Sequence, residues 1–592
     1  MIWTKLKNNW PLLILLILHG ALLFYDYNSI PFSHDELSAI DRCRFTSFSE
    51  LINLGVMPDG HPAGIQILLY LLINNFGVHE WILKLPFVLA GIGSLYFIYK
   101  ISASLFNRYA AITASIFFIF QSYYLSQIVV ARPYSIGLLL SLGVVFIGLK
   151  IKTNPSYRTN YLILFLFAIG SFYSHYFSFL QTIISIGIFY AFYSERLNNR
   201  YFYLAVSAAI IGFLPHGLIT LQQLGMGGLE WLGKPSPDFF ASFFYNFYNS
   251  SYILLMTGIG LFVFSFFVKS RSKKTKPILL ILFLLPVAIL YAYSIVRAPV
   301  LQGPALFFCT PYLLIFSGNG INYFNKYFKL IGIIALALFQ GYTLIISNQF
   351  YSLRNYQPIE KFVIQSEENL KNNGTNKSLV LWSGNSHYIA YYLQKYNFKN
   401  RIITTDTLKD IKQIDWRRYD AIICNQLPPN IFYALKDSFP FVQSCENNLL
   451  YTCMVLTRKS GNRALYKVPP IKLKFTIDSA KEWSKVSYLY KLDSIIDNAN
   501  YFIEFKPLLD SSIRGAELVL ETYRGEEIID WRSVYLEPEN LLSLKVKDVI
   551  KDFNNNIKIK LYIWNSTKIS TKPIEVMMLI REDNPSEYIF KP

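Results

Sequence analysis

The chain has 592 residues, more than one hydrophobic core usually serves, so two or three domains are expected. Hydrophobic residues make up 53% of it and charged residues only 16%, a balance typical of membrane proteins. The formal net charge of +18 comes largely from Lys and Arg in short loops between apolar stretches, a distribution that argues against nucleic-acid binding.

Apolar stretches long enough to cross a bilayer recur along residues 1–348, whereas 349–592 have the composition of a soluble protein. We predict a polytopic α-helical membrane domain with about eleven transmembrane helices. The predicted spans are 11–27, 82–101, 111–130, 134–150, 161–177, 179–193, 201–218, 251–269, 278–296, 303–318 and 328–347. Residues 62–78 are predicted to form a helix lying in the membrane interface. The first span lacks a cleavage site and is expected to remain as an anchor.

Basic residues in the loops predict the orientation of these spans. Lys5 and Lys7 precede the first span, and the loop after every second span is basic, while acidic residues lie in the alternate loops. Because basic loops stay in the cytoplasm, the N-terminus is predicted to be cytoplasmic and the C-terminal half extracytoplasmic. The Asn, Lys, Ile and Tyr content resembles that of low-GC bacteria, so we expect a bacterial inner membrane with a periplasmic C-terminal half.

Polar residues that are unusual for a membrane protein collect on the predicted outer side. In the first outer loop, S-H-D-E places His34, Asp35 and Glu36 together, and D-G-H-P follows with Asp59 and His61. An acid pair at the membrane surface can supply a general base that deprotonates an acceptor hydroxyl. Asp35 and Glu36 are therefore the predicted catalytic residues.

Later junctions on the same side carry further polar and aromatic side chains. They are Arg132 and Tyr134 in the turn A-R-P-Y-S, His175 at the end of the fifth span, Trp231 and Lys234 after the seventh, and Arg297 after the ninth. Guanidinium groups bind phosphate oxygens bidentately, so Arg132 and Arg297 are predicted to hold a lipid phosphate. The histidines and Trp231 could orient a sugar or an acceptor.

Each of these residues also has a purely structural interpretation. The acid pair could cap a juxtamembrane helix, the arginines could snorkel to lipid headgroups, and Trp231 could belong to an interfacial aromatic belt. His175 could be a hydrogen-bonded group packed between helices, and Lys234 could be solvated. Their convergence on one face favours function, because ionisable groups at membrane depth are costly and are seldom kept without a role.

Two soluble domains are predicted after the membrane domain. Alternating helix and strand patterns in 349–460 indicate a small α/β domain, in which S-G-N at 383–385 caps a helix. Alternating runs in 461–592 indicate an antiparallel β-sandwich. Trp531 and Trp564 are candidates for stacking on sugar rings, although packing in the core is the favoured interpretation of both. Cys445 and Cys453 could pair, or remain free thiols.

The motifs H-D-E at 34–36, H-P-A-G-I-Q-I-L-L-Y-L-L at 61–72 and A-R-P-Y-S at 131–135 resemble those of the GT-C membrane glycosyltransferases, specifically glycosyltransferase family 39. That family includes protein O-mannosyltransferases and the aminoarabinose transferases of lipid A. A further family pattern is present as Gly77, Glu80, Lys84 and Pro86. The chain departs from the family at Ala63, where the second proline of an H-P-P motif is expected, and at C-T-P-Y 309–312, where relatives often carry an Arg-Tyr pair.

The resemblance implies an enzyme that moves a sugar, with inversion, from a polyprenyl-phosphate donor to a hydroxyl acceptor at the outer membrane face. Asp35 or Glu36 would be the base, and Arg132, with Arg297, would contact the donor phosphate. The acceptor stays open among protein, lipid A and glycan. No cofactor is required, although a divalent cation beside Asp35, Glu36 and His61 is compatible with the pattern. The alternatives are a transporter or flippase of lipid-linked sugar and a non-catalytic membrane scaffold.

Overall fold

The computed structural model describes residues 2–225, 233–374, 377–404, 414–425, 427, 429–435, 438–447, 452–459, 463–464, 470–478, 480–484, 486–497, 499, 501–538, 540–550, 556–568 and 573–582. The chain divides into two compact units, Met1–Tyr356 and Gln357–Pro592. The first is helical, and the second contains all of the described strands.

The first unit is a bundle of apolar helices with short polar connections. Its α-helices are Ile2–Phe24, His34–Asp41, Phe48–Glu50, Gly64–Phe76, Glu80–Leu105, Arg108–Phe120, Ser122–Ile128, Tyr134–Thr153, Arg158–Ser174, Tyr176–Tyr193, Asn199–Phe213, Gly217–Gly225, Phe239–Phe247, Tyr252–Phe267, Thr275–Val296, Thr310–Gly318, Lys326–Tyr342 and Phe350–Arg354. A 3₁₀ segment, Gly303–Phe308, precedes Thr310–Gly318, and π-helical turns occur at Leu51–Val56 and Thr343–Ser347.

The polytopic helical architecture expected from the sequence is confirmed, and every predicted span falls on helical structure. Among the described residues, seven helices are long and apolar enough to cross a bilayer, or eight if Phe239–Phe247 and Tyr252–Phe267, which meet at 99°, are one span. The total of about eleven therefore stays a prediction. The helix predicted to lie in the interface is Gly64–Phe76, whose 13 residues are too few for an ordinary span.

The predicted span 111–130 is interrupted. Its helix ends at Phe120 and a second helix begins at Ser122. The Asn249 amide donates to the Phe120 carbonyl at 2.9 Å and accepts from the Ser122 backbone N–H at 2.9 Å. A helix break among apolar neighbours is tolerated when another side chain satisfies the freed backbone groups. Asn249 performs that role from a left-handed backbone conformation, with φ of 55°.

The second unit begins with the predicted α/β layer. Its helices are Pro358–Asn373, Ser386–Lys395 and Pro429–Leu435, and its strands are β1 (Ser378–Trp382), β2 (Ile402–Thr404), β3 (Ala421–Cys424), β4 (Phe441–Asn447), β5 (Thr452–Thr457) and β6 (Arg463–Ala464). They form one mixed sheet in the order β2-β1-β3-β5-β4-β6. Asn385 caps the helix Ser386–Lys395, as expected. Cys445 and Cys453 lie on neighbouring strands, are buried and are not joined by a disulfide.

The predicted β-sandwich follows. Its strands are β7 (Ile471–Phe475), β8 (Tyr488–Lys491), β9 (Tyr501–Leu508), β10 (Ile513–Arg524), β11 (Glu527–Leu536), β12 (Leu542–Lys545), β13 (Ile557–Asn565) and β14 (Ile574–Glu582). Two antiparallel sheets, ordered β11-β10-β13-β8 and β12-β9-β14-β7, share one hydrophobic core. The core-packing interpretation is wrong for Trp531, which is 51% exposed, and Trp564 is half-buried outside that core.

Candidate active site

Glu36 holds three segments of the membrane unit together from a fully buried position. It is the third residue of the helix His34–Asp41, where it forms a capping box with Ser33. Its carboxylate also pairs with the Lys84 ammonium at 2.8 Å and accepts from the Ala131 backbone N–H at 2.7 Å. With these partners and no exposed surface, Glu36 fixes the loop and the A-R-P-Y-S turn and does not present an oxygen to an acceptor.

Asp35, the neighbour of Glu36, faces the opposite way. Its side chain is exposed, and its carboxylate has no hydrogen-bond or ion-pair partner among the residues that the structure describes. Arg132 lies beside it, with one guanidinium nitrogen 3.5 Å from the Asp35 carbonyl oxygen. The Arg132 Nε atom is buried and has no hydrogen-bond partner within the described part of the chain. A carboxylate and a guanidinium with unused hydrogen-bonding capacity are thus held side by side.

Asp59 is the buried acid at the centre of the site. Its carboxylate pairs with Arg42 at 2.5 Å, lies 3.4 Å from the His61 Nδ1 atom and accepts from the Gln66 amide. Burial alone would raise the pKa of Asp59, but the His61 hydrogen bond and the charges of Arg42 and Arg132 outweigh it and hold the pKa below its ordinary value. Asp59 is therefore an anion whose charge Arg42 largely balances.

His61, His175 and Tyr134 continue the site as a row of rings. The His61 and His175 ring centroids are 5.1 Å apart, and those of His175 and Tyr134 are 5.8 Å apart. The His175 Nδ1 atom accepts from the Phe177 backbone N–H at 3.0 Å, which makes the neutral ring carry its proton on Nε2. Tyr134 lies close enough to Arg132 and Asp35 for both of their charges to act on its phenol. The row therefore ends beside the Asp35–Arg132 pair.

The short helix Gly217–Gly225 supports this arrangement by hydrogen bonds to the first outer loop. The His216 Nε2 atom accepts from the Ala63 backbone N–H at 3.1 Å. The Gln223 amide donates to the carbonyl oxygens of Val56 at 2.7 Å and His61 at 3.1 Å, and it accepts from the Tyr176 hydroxyl at 2.5 Å. A proline at position 63, as in the family motif, would have no N–H to donate.

The remaining predicted residues lie differently. Arg297 is exposed and donates to the Leu224 carbonyl at 3.3 Å, so it binds the end of the helix Gly217–Gly225. Lys234 is exposed and contacts none of the site residues that the structure describes, and His34 is an exposed first-turn residue. Trp231 lies outside the described residues.

Five residues of the site were missed by sequence reasoning. They are Arg42, Gln66, Lys84 as the partner of Glu36, His216 and Gln223. Lys84 carried a usable signal, because a lysine inside an apolar helix needs an acidic partner. The others look like ordinary polar residues in loops and helix ends, and the first-loop partners of His216 and Gln223 are distant in sequence.

The site does not fit the divalent cation that the motif pattern allowed. In the described part of the chain, no group of three or more His, Cys, Asp or Glu side chains could hold a metal ion. Of the three expected ligands, Glu36 is already bound to Lys84.

Residues 60–219 match the family model described as dolichyl-phosphate-mannose-protein mannosyltransferase. The resemblance to membrane glycosyltransferases is confirmed. The matched segment contains His61, Arg132, Tyr134 and His175, whereas Asp35 and Asp59 precede it. No curated protein matches the chain significantly.

Several solved structures of glycosyltransferases are similar to the chain. ArnT from Cupriavidus metallidurans bound to undecaprenyl phosphate is 10% identical, with a TM-score of 0.49, covering 76% of this chain and 99% of that one. Arabinofuranosyltransferase AftD from Mycobacteria is 10% identical, with a TM-score of 0.43, covering 96% and 58%. The Archaeoglobus fulgidus oligosaccharyltransferase tethered with an acceptor peptide is 9% identical, with a TM-score of 0.42, covering 76% and 74%.

Proposed function

We propose that the chain transfers a sugar from a polyprenyl-phosphate donor to a hydroxyl acceptor, with inversion at the anomeric carbon. The observation that carries this proposal is that Asp35 and Arg132 lie side by side, while within the described part of the chain the Asp35 carboxylate and the buried Arg132 Nε have no partner. The pair lies in a unit of apolar helices, and Arg132 falls within the segment that matches the mannosyltransferase family model.

Arg132 is the residue that binds the donor phosphate in this proposal. Two arginines and two buried acids lie at the site, and Glu36 is engaged by Lys84 whereas Arg42 is engaged by Asp59 at 2.5 Å. The charge of Arg132 is therefore left for a ligand, and a guanidinium matches phosphate oxygens in geometry as well as charge. As the sugar leaves, Arg132 stabilises the lipid phosphate that departs with the electron pair of the broken bond.

Asp35 is the general base in preference to Glu36. Its exposed carboxylate can accept the proton of an acceptor hydroxyl as that oxygen attacks the anomeric carbon. Glu36 holds Asp35 in place through the capping box and the Lys84 pair. A single displacement of this kind gives inversion. His61, Tyr134 and His175 form the wall against which the sugar would be oriented, and Asp59 holds His61 in its place.

An apolar cavity of about 670 Å³ supplies a place for the isoprenoid tail. Its walls include Phe244 and Tyr248 from one side of the bent helix pair and Phe262 from the other. Aromatic contacts lead from this helix pair toward the site, since Tyr123 packs on Phe247 at 5.4 Å and on Phe307 at 5.8 Å, and Phe307 contacts Tyr134 at 6.2 Å. An apolar lining suits a hydrocarbon chain.

The proposal also includes the membrane in which the protein lies, the side on which it acts and the class of acceptor. The Asn, Lys, Ile and Tyr content favours a bacterial inner membrane, and the charges of the loops favour the site and the C-terminal unit on the periplasmic side. The acceptor is a protein, a lipid or a glycan with a free hydroxyl. No step requires a metal ion, because the donor is a monophosphate and Arg132 supplies the positive charge.

The test is transfer of labelled sugar from extracted polyprenyl-phosphate donors to cell-envelope acceptors by protein reconstituted in nanodiscs. We expect Asp35→Asn to lower the transfer rate by about 10²–10⁴-fold, and Arg132→Ala to lower it strongly as well. Asp41→Asn changes a neighbouring acid of the same helix and should keep full activity. Full transfer by Asp35→Asn would contradict the assigned base. A folded wild type that moves the intact donor between leaflets without cleaving it would support the transporter alternative.

A further inference from the structure

One face of the β-sandwich carries a row of aromatic side chains that the proposed reaction does not use. In the sheet β11-β10-β13-β8, Leu518 and Leu520 point into the core and are fully buried. Their neighbours on β10 therefore point outward. The register places Glu521 opposite Trp531 on β11 and Glu517 opposite Trp564 on β13. Residues directly opposite each other share a face, so both tryptophans lie on the outer one.

Two of the four rings on this outer face are exposed, Trp564 is half-buried and Tyr562 is buried, and contacts hold all four in fixed positions. Trp483, 51% exposed, stacks on Trp564 at 6.0 Å with an interplanar angle of 21°, and it packs edge-on against Tyr562 at 5.3 Å. A backbone bridge joins Trp483 to Trp564, and the Trp564 indole N–H donates to the Glu482 carboxylate at 2.9 Å. Trp531, also 51% exposed, lies close enough to Tyr562 to interact with its hydroxyl. We call Trp483, Trp531, Tyr562 and Trp564 the aromatic face.

A carboxylate lies at the centre of the aromatic face. Glu521 accepts hydrogen bonds from the hydroxyls of Tyr562 at 2.7 Å and Tyr523 at 2.5 Å, and Lys560 lies 3.8 Å from it. The hydrogen bond to Glu521, added to burial, raises the pKa of Tyr523 to about 12. The phenols therefore stay protonated donors at neutral pH. Polar groups are thus interleaved with the rings.

The charge of the aromatic face narrows the class of ligand. The chain as a whole carries +18, but the outer face of this sheet presents three carboxylates, Glu482, Glu517 and Glu521, and three ammonium groups, Lys491, Lys558 and Lys560, so its net charge is near zero. It therefore lacks the excess of positive charge that would attract an anionic polymer. A purely apolar partner would cover these charged groups and remove them from water, which is costly. A neutral ligand with apolar faces and many hydroxyls matches both kinds of group, since its C–H faces can pack on indole rings and its hydroxyls can donate to carboxylates.

We propose that the aromatic face binds a neutral oligosaccharide. Trp531 and Trp564 are separated by two strand spacings across the sheet and by four residues along it, so they lie about 16 Å apart. That separation suits several linked sugar rings rather than one. The aromatic face is a binding site independent of the transfer reaction. Through this face, the C-terminal unit of the chain would hold a glycan-bearing acceptor or product.

Binding is tested with the full-length protein in nanodiscs and hexasaccharides of α- and β-linked glucose, β-linked N-acetylglucosamine and α-linked mannose at millimolar concentration. Saturation-transfer NMR gives the affinity. We expect at least one probe to bind, and the double variant Trp483→Ala/Trp531→Ala to weaken it by at least about tenfold. Ile471→Ala removes an exposed apolar side chain from the opposite sheet and should change nothing. Trp531→Phe keeps a ring and should recover part of the affinity.

Three outcomes would overturn the proposal. The first is that no hexasaccharide binds the wild type, and the second is that the double variant binds as tightly as the wild type while its far-UV circular dichroism is unchanged. The third is that the double variant loses part of the quenching of tryptophan fluorescence by brominated lipids, beyond the quenching of the tryptophans in the membrane unit, which would place the aromatic face against a bilayer. Transfer activity is measured in parallel, so failure of binding and failure of the proposed reaction are distinguishable.

Discussion

Glu36 and Lys84 form an ion pair that is closed to solvent, with side-chain exposures of 0% and 1%. The Lys84 ammonium also donates to the Pro31 carbonyl, and the Glu36 carboxylate accepts from the backbone N–H groups of Ser33 and Ala131. A buried pair gives little net stability over apolar residues, but it is strongly destabilising to break because one charge is left uncompensated. The pair therefore aligns the first loop with the A-R-P-Y-S turn rather than performing chemistry.

Removing Lys84 should destabilise the membrane unit. We expect Lys84→Met to lower the free energy of unfolding by about 3–5 kcal/mol, because it leaves the Glu36 carboxylate buried and unpaired. The double variant Glu36→Gln/Lys84→Met should lose less than the sum of the two single changes. Thermal unfolding in detergent measures this, with Lys100→Met on the same helix as control, since Lys100 is only half-buried and bonds to Asn9. Additive losses would contradict the coupling.

Ala63 has a specific role because its backbone N–H reaches His216. We expect Ala63→Pro to lower the free energy of unfolding by about 1–3 kcal/mol, since it leaves a buried ring nitrogen without a donor. In a His216→Phe background, which has no acceptor, most of this effect should vanish. An equal loss in both backgrounds would point to backbone strain instead. The measurement is a double-mutant cycle by thermal unfolding.

At the scale of elements, the helix Gly217–Gly225 links regions far apart in the sequence. Gln223 binds the backbone at Val56 and His61 and receives the Tyr176 hydroxyl, next to His175. Arg297 donates to the carbonyl of Leu224, the residue that follows Gln223. A displacement of this helix would therefore move both histidines, His61 and His175, relative to Asp35.

The two glutamines of this helix offer a matched test. Gln223 is buried, whereas its neighbour Gln222 is exposed. We expect Gln223→Ala to lower kcat of the proposed transfer by about 10–100-fold, because a small misplacement of positioning groups is costly. Gln222→Ala should behave as wild type. A change in KM alone would indicate that Gln223 affects donor binding rather than alignment.

At the scale of the whole molecule, the loop charges predict which side of the membrane each loop faces, and cysteine labelling can test this prediction. The five native cysteines are all buried, so an impermeant maleimide should report introduced ones. We expect Ser511→Cys, exposed in the sandwich, to be labelled in intact spheroplasts. Lys273→Cys, in a basic loop, should be labelled only after the membrane is opened. The reverse pattern would invert the predicted topology.

Local pattern was enough to determine the architecture of this protein. Hydrophobic runs located the helices and the strands of the α/β layer, and alternating apolar residues located the strands of the sandwich, because these patterns are set by neighbours in the sequence. The polar motifs also located most of the site: Asp35, Asp59, His61, Arg132, Tyr134 and His175 do come together.

Only the tertiary structure decided which member of the acid pair is exposed, and which residues support the site. Glu36 meets Lys84 and Ala131 across 48 and 95 residues, and Ala63 meets His216 across 153. The break after Phe120 depends on Asn249, which is 129 residues away. These pairings arise from packing between distant segments, so no local periodicity encodes them. The adjacent carboxylates of Asp35 and Glu36 acquire different roles only when the chain folds, because folding buries one and leaves the other exposed.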